Sequence, residues 1–433
     1  SYNAVKVGGA DVLNPGRERI VPHPDGVASP DGWHFSPEQG GVFKTAGNNV
    51  RTHTLTPYRL GTRFAINYAH SATDDFDFEL DLQQNPKKHP NATVANVDYV
   101  SNYMHDKLYG LGFDEEAGNF QFRNPSGLGK ERDPIDAQVH GLGGKNLAVF
   151  TAPPDGEMGQ LFLGIFGSGS KARDSGLDNT VVIHELGHGL SKRLTGGSHN
   201  ADCLATTLSG GLGEGVSDAL AVLMMMKSTD TRDTSKFIGK YTSASMRRYP
   251  YTTNMEINPL TYKSIKKYND VHAIGTVWGT MLYEMYWNLV DALGFDEVDA
   301  KPDITKGSTL ALQLIIDALK TQPCHPDFIQ ARNHILEAEQ RRTNGAHACK
   351  IWAAFAKRGL GSKAKYLKRG LTGKLGITGP SPVEDYDVPI GCQSESGEGR
   401  LSGRWVPSED DWLPADESSS DSLSMSIHQS STV

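Results

Sequence analysis

Val181 to Gly197 reads VVIHELGHGLSKRLTGG, and the rest of the chain can be placed around it. His184, Glu185 and His188 stand in the order HExxH inside an apolar, helix-compatible run. On a helix the two histidines lie at i and i+4 on one face, close enough for both imidazoles to hold one Zn(II), with Glu185 in reach of a water on the metal. Asp178, Asn179 and Thr180 can cap this helix, Lys192 and Arg193 suit its C-terminal dipole, and Gly196-Gly197 end it. Gly187 and Gly189 each cost roughly 1 kcal/mol against Ala, so the helix is expected to depend on packing and metal more than on propensity. The bland alternative is a solvated patch on a surface helix.

A catalytic zinc takes three protein ligands and leaves a fourth position for water, so a further His or carboxylate is needed. The pattern HExxHxxGxxH is excluded, because Ser191 and Leu194 stand where it requires Gly and His. His199, Asp202, Glu214 and Asp218 remain between Gly189 and Met226. Glu214 and Asp218 share one face of a helix expected over Gly213 to Lys227, which assigns Glu214 as ligand and Asp218 as acceptor for the outer NH of a ligand histidine. The alternative is a capping carboxylate and a solvated acid. His272 opens the apolar run HAIGTVWGTMLYEMYWNLV. A histidine at a helix N-terminus is biased toward its neutral form and can donate a hydrogen bond to a developing oxyanion, although such a residue is more often a cap or a core histidine.

With 433 residues, 37% hydrophobic and 22% charged, the chain can bury a large core, and two domains with a tail are expected. The net charge of -8 shows no basic excess of the kind nucleic-acid binding requires, and no run is long enough to span a membrane. The chain starts SYNAVKVGG without a basic and apolar leader, which reads as a processed or a cytosolic form. Residues 1 to about 95 read as turns and short strands. A helix is expected over Val97 to Leu111, then a strand pair, Asn146 to Thr151 and Gln160 to Phe166, joined through Pro-Asp-Gly156. An edge strand here could pair with an extended peptide. Helices follow over Asp178 to Leu194, Gly213 to Lys227, Thr234 to Arg248, His272 to Leu293, Ser308 to Thr321, Pro326 to Arg342 and Lys350 to Arg358. From about residue 394 a Ser/Asp/Glu-rich tail carrying Trp405 and Trp412 reads as disordered. The divisions are therefore 1–173, β-rich with one long helix; 174–378, helical and carrying the zinc and catalytic residues; and 379–433, linker and tail.

Four cysteines, Cys203, Cys324, Cys349 and Cys392, contain no CxxC pair and allow three pairings. Cys324 with Cys349 and Cys203 with Cys392 is the preferred arrangement; four free thiols are the alternative. Asn91-Ala92-Thr93 is a glycosylation acceptor sequence, consistent with secretion.

Several blocks in order resemble the mature catalytic region of fungalysins, secreted zinc endopeptidases related to thermolysin. They are YMHDKLYGLGFDEEAGNFQ, APPDG, HELGHGLSKRLTGG, SGGLGEGVSDALA, RRYPYTTNMEINPLTYKSI, VHAIGTVWGTMLYEMYWNL, TQPCHPDFIQAR and IWAAFAKRGLG, over about residues 95 to 365. The resemblance implies an α+β, thermolysin-like two-domain metalloprotease, β-rich in its first half and helical in its second, with the zinc helix between them. It implies one catalytic zinc on His184, His188 and Glu214, Glu185 as general base, Asp218 behind a ligand histidine, His272 on the tetrahedral intermediate and Arg247 on a substrate carbonyl. Asn146-Leu147-Ala148 replaces the family's Asn-rich edge strand, so Asn146 and Ala148 are the substrate-binding candidates there. Leu186 and Val216 stand where the family has aromatic residues. Protein and peptide substrates, an inhibitory propeptide before maturation, secretion and a monomer are implied; calcium is possible, but no EF-hand spacing supports it. The rival readings are an inactive zinc-bearing binding protein on the same scaffold and a zinc aminopeptidase. The 26 positions from His188 to Glu214 exceed the usual spacing of the latter, and no GxMEN-type motif is present.

Overall fold

A computed structural model describes residues 1–35, 41–57, 64–141, 145–243, 246–367, 370–372, 376–378 and 381–393. The expected tail with Trp405 and Trp412 lies outside them. Five strands make the main sheet: β1 (Val50–Pro57), β2 (Phe64–Tyr68), β3 (Ile135–Val139), β4 (Ala148–Thr151) and β5 (Gln160–Leu163). Their order is β2-β1-β3-β5-β4, with β3 parallel to both of its neighbours and the outer pairs antiparallel. The β4–β5 hairpin closes through the turn at Ala152–Gly156, as Pro-Asp-Gly chemistry requires, and it leaves β4 at the sheet edge.

Helix α1 (Pro90–Gly110) packs on β1 and β3 through Val94, Val97, Val100, Met104 and Leu108. It starts seven residues before the expected Val97, because Pro90 is compatible with a first helical turn. The polar residues that blurred the periodicity are buried with partners. Asn96 accepts from the Val5 amide and donates to Gly176 O, and Asp98 accepts from Tyr2 and Thr52. The acceptor Asn91 is exposed in the first turn of α1, with Thr93 buried and donating to Asp174.

Six further helices follow: α2 (Asn179–Leu194), α3 (Thr207–Leu223), α4 (Val271–Leu293), α5 (Gly307–Thr321), α6 (Phe328–Thr343) and α7 (Ala348–Lys357). α3 lies between α2 and α4, α4 carries α5 and α7, and α2 also touches β4. One hydrophobic cluster runs from Val50 and Val97 through Ile183 and Leu212 to Leu282 and Phe355, so sheet and helices share a core. The combination is α+β, and the catalytic-type helix α2 sits where the two parts meet.

Three expectations are corrected. Among the described residues of Thr234 to Arg248 the expected helix is absent: residues 234–243 form a loop in which Lys236 bridges Tyr251 and Gly239 takes φ +65°. Gly239 N donates to Thr180, and Thr242 N to Asp178, so tertiary hydrogen bonds replace the helical ones. Helix α3 begins at Thr207 instead of Gly213, capped by a reciprocal Thr206–Ser209 box, and stops at Leu223. The cysteines pair Cys203–Cys324 and Cys349–Cys392, not Cys324–Cys349 and Cys203–Cys392. The 16-residue α6, about 24 Å long, separates Cys324 from Cys349. The positive-φ pair Gly196-Gly197 instead turns the chain after α2 toward Cys324, and the segment after α7 folds back, Leu360 bridging Asp385, to bring Cys392 to Cys349.

Candidate metal centre

Helix α2 starts at Asp178, whose side chain accepts from Thr180 N and whose other oxygen accepts from Thr242. Its glycines are packing devices. A Cβ on Gly187 would stand 2.8 Å from Ser217 Cα of α3, and one on Gly275 of α4 would stand 2.4 Å from the Glu214 Cβ. Only glycine lets these three helices approach closely enough for their side chains to meet at one point.

They meet at His184, His188 and Glu214. The two Nε2 atoms are 3.1 Å apart, Glu214 Oε2 is 3.3 Å from His184 Nε2, and Oε1 is 3.5 Å from His188 Nε2. Three ligand atoms placed tetrahedrally around an ion at the usual zinc distances would be about 3.3 Å from one another. Glu214 Oε2 is buried without a hydrogen-bond donor, as a carboxylate oxygen awaiting a cation would be. Among the described residues this is the one group of three or more His, Cys, Asp or Glu with metal-holding geometry. The residues fit a divalent ion.

Asp218, fully buried one turn after Glu214 on α3, brings Oδ1 to 2.7 Å from His184 Nδ1. Arg247 donates to both Asp218 oxygens at 2.6 and 2.9 Å, and the Tyr251 hydroxyl donates to it as well. Burial opposes this charge, but Arg247 and His184 hold the Asp218 carboxyl well below the usual range. Burial likewise pushes against protonation of both histidines. It wins at His188, lowered to about 3, while Asp218 outweighs it at His184. Glu185 is pushed up to about 7 by burial, with His184 acting in the opposite direction.

His272, at the start of α4 behind its Asp270 cap, turns Nε2 to 3.6 Å from Glu214 Oε2, with Nδ1 3.1 Å from Asp270. A cavity of about 400 Å³ lies over the centre, lined among others by Ala148, Phe150, Val181, Glu185, Thr206, Arg247 and His272. Ala148 thus lines it from the edge strand. Asn146 does not: it is exposed at φ +59°, and its Oδ1 accepts from Gly167 N. Tyr251 was not singled out in the sequence, and its one signal was its place in the RRYPYTT block. Arg193, read as a partner of the helix dipole, is instead buried, donating to Asp133 and to the carbonyls of Gly118, Pro153 and Glu157.

A model of the family described as fungalysin metallopeptidase matches residues 1–364. The chain belongs to the fungalysin metallopeptidases. It is 43% identical over 356 residues to extracellular metalloproteinase 10 of Coccidioides posadasii, covering 80% of this chain and 56% of that protein. It is 39% identical over 379 residues to extracellular metalloproteinase mep of Aspergillus fumigatus, covering 85% and 59%. The chain thus spans somewhat over half the length of these relatives. Among solved structures, the precursor of protealysin from Serratia proteamaculans is similar at 14% identity and a TM-score of 0.43, over 73% of this chain and 89% of that one. A metallopeptidase family implies a catalytic metal, and the His184, His188 and Glu214 group is where this fungalysin can hold it.

Proposed function

We propose that the chain is the catalytic region of a secreted zinc endopeptidase. The observation that carries this reading is the spacing of the His184, His188 and Glu214 ligand atoms, with the buried Glu185 beside them. Histidine and carboxylate donors at tetrahedral separations suit zinc, and a bound zinc supplies Lewis acidity toward the scissile carbonyl and its attacking water. Glu185 takes a proton from that water and returns it to the leaving amine; burial puts its carboxyl near the pH at which both transfers are efficient. His272 lines the cavity and, with Nε2 carrying a proton, donates to the oxygen that gains charge on the substrate; its Nδ1 lies 3.1 Å from Asp270. Asp218 fixes the tautomer and ring orientation of His184. Arg247 meets a substrate carbonyl in this reading, which its clamping by Asp218 and its presence in the cavity lining support.

Endopeptidase action is supported by a cavity whose lining follows α2 from Val181 past the ligand group to Lys192. Residues 1–173 and 174–378 supply its two walls. The names of the relatives support secretion, and among the described residues no helix is long and apolar enough to cross a membrane. Protein and peptide substrates and an inhibitory propeptide before maturation complete the reading. In Glu185→Gln the metal should remain, by elemental analysis, while cleavage of an internally quenched peptide blocked at both ends falls by roughly 10²–10⁴-fold. Full turnover in that variant would remove Glu185 from the reaction, and failure of zinc to restore chelator-treated wild type would remove the metal.

A further inference from the structure

Lys192 is a cation in the cavity that the proposed chemistry leaves unused. It stands on α2 four positions after His188 and seven after Glu185, so all three share a helical face, and it lines the cavity with Leu204, Ala205 and Thr206. Its side chain is half-buried, yet among the described residues it makes no hydrogen bond or ion pair. Burial lowers its pKa, and the acids that act on it are Glu185, Glu214 and, at the exposed rim, Asp202. Glu214 belongs to the ligand group, and none of the three comes within ion-pair distance. A partly desolvated ammonium without a counter-ion is costly to keep, and a ligand carboxylate would supply the missing partner.

The neighbouring surface allows one kind of ligand. Seven helical positions span roughly 10 Å, and helical side chains lean back toward the N-terminus. For an extended peptide laid along α2 and advancing about 3.3 Å per residue, the ammonium meets the second or third residue from the scissile bond. We propose that Lys192 forms a specificity subsite for an aspartate or glutamate of the substrate, two or three residues from the bond that is cut. This deepens the endopeptidase reading and rests on it. The side chains nearest this end of the cavity, Leu204, Ala205, Thr206 and Phe150, are uncharged, and Glu185, Glu214 and Asp202 act on Lys192 from beyond ion-pair distance.

The test uses the zinc-loaded chain and a set of blocked, internally quenched peptides that carry Ala, Glu or Lys at each of the three positions on either side of the bond. Wild type should show a kcat/KM about fivefold higher for Glu than for Ala at one position two or three residues from the cut, falling as NaCl is raised. The Glu-to-Ala ratio should collapse to about one in Lys192→Gln, survive in Lys192→Arg and invert in favour of Lys in Lys192→Glu. A wild-type enzyme that cleaves these peptides with no acidic preference, or a preference that persists in Lys192→Gln, overturns the subsite while leaving the peptidase intact. A wild type that cleaves none of them overturns both. Should the variants fail to fold, the wild-type preference and its salt dependence decide alone.

Discussion

At the scale of single residues, the centre is held by charges that lie outside the His184, His188 and Glu214 group. Asp218 is fully buried and collects Arg247, Tyr251 and His184 Nδ1, so it both orients a proposed ligand and ties the loop before Tyr251 to α3. An Asn there keeps the shape but loses the charge that favours a basic, correctly oriented His184. In Asp218→Asn, zinc affinity measured by chelator competition should weaken roughly 10–100-fold. Unchanged affinity would show that His184 is oriented by packing alone. HExxH, and the shared face of Glu214 and Asp218, were legible in the sequence because each depends on spacing within one helix; that Glu214 belongs with the histidines rested on the short list of acids and histidines downstream and on the family resemblance. The Arg247 and Tyr251 contacts with Asp218 were not, because they join residues 29 and 33 positions apart through a loop with no periodic signature.

At the scale of elements, the helices are built for close approach at the expense of intrinsic stability. Gly187 to Ala should gain about 1 kcal/mol of helix propensity, yet its Cβ would press on backbone, the Ser217 Cα at 2.8 Å, which cannot rotate away. Overpacking of this kind typically costs about 1–3 kcal/mol, so the clash should win. Gly187→Ala should therefore lower the melting temperature and weaken the metal site together; a variant more stable than wild type would show that α2 and α3 can separate without loss. Reading these glycines only as weak helix formers was correct about α2 alone and silent about its partner. The same limit explains Thr234 to Arg248, whose apolar residues recur at helical spacing while Gly239 and the side chains of Asp178 and Thr180 demand a loop.

At the scale of the molecule, the N-terminal segment is fastened to the sheet-and-helix core by a buried polar cluster. His34 lies between Asp74 at 2.8 Å and Asp98 at 2.9 Å, and Tyr2 joins at 2.9 Å. Burial opposes its charge, but the two carboxylates prevail and raise it to about 9. Because the folded value lies above the ordinary 6.5, this stabilisation is complete below pH 6.5 and is lost as pH rises through about 9. Denaturant unfolding of wild type and His34→Gln should differ by on the order of 2–3 kcal/mol more at pH 6 than at pH 9.5. A difference that does not change with pH would mean that His34 is uncharged in the folded protein.

The sequence by itself determined the catalytic-type helix, its two histidines and acid, the helical face shared by Glu214 and Asp218, most helices of the second half and the edge hairpin. Each of these follows from local periodicity, capping and turn chemistry, which act over a few residues. Only the tertiary structure decided which cysteines pair, why α2 and α3 carry glycines, what Arg193 and Arg247 hold, and that Lys192 faces the cleft without a partner. Those outcomes are set by contacts between segments far apart in the chain, where rigid helices such as α6 forbid some meetings and glycine turns permit others.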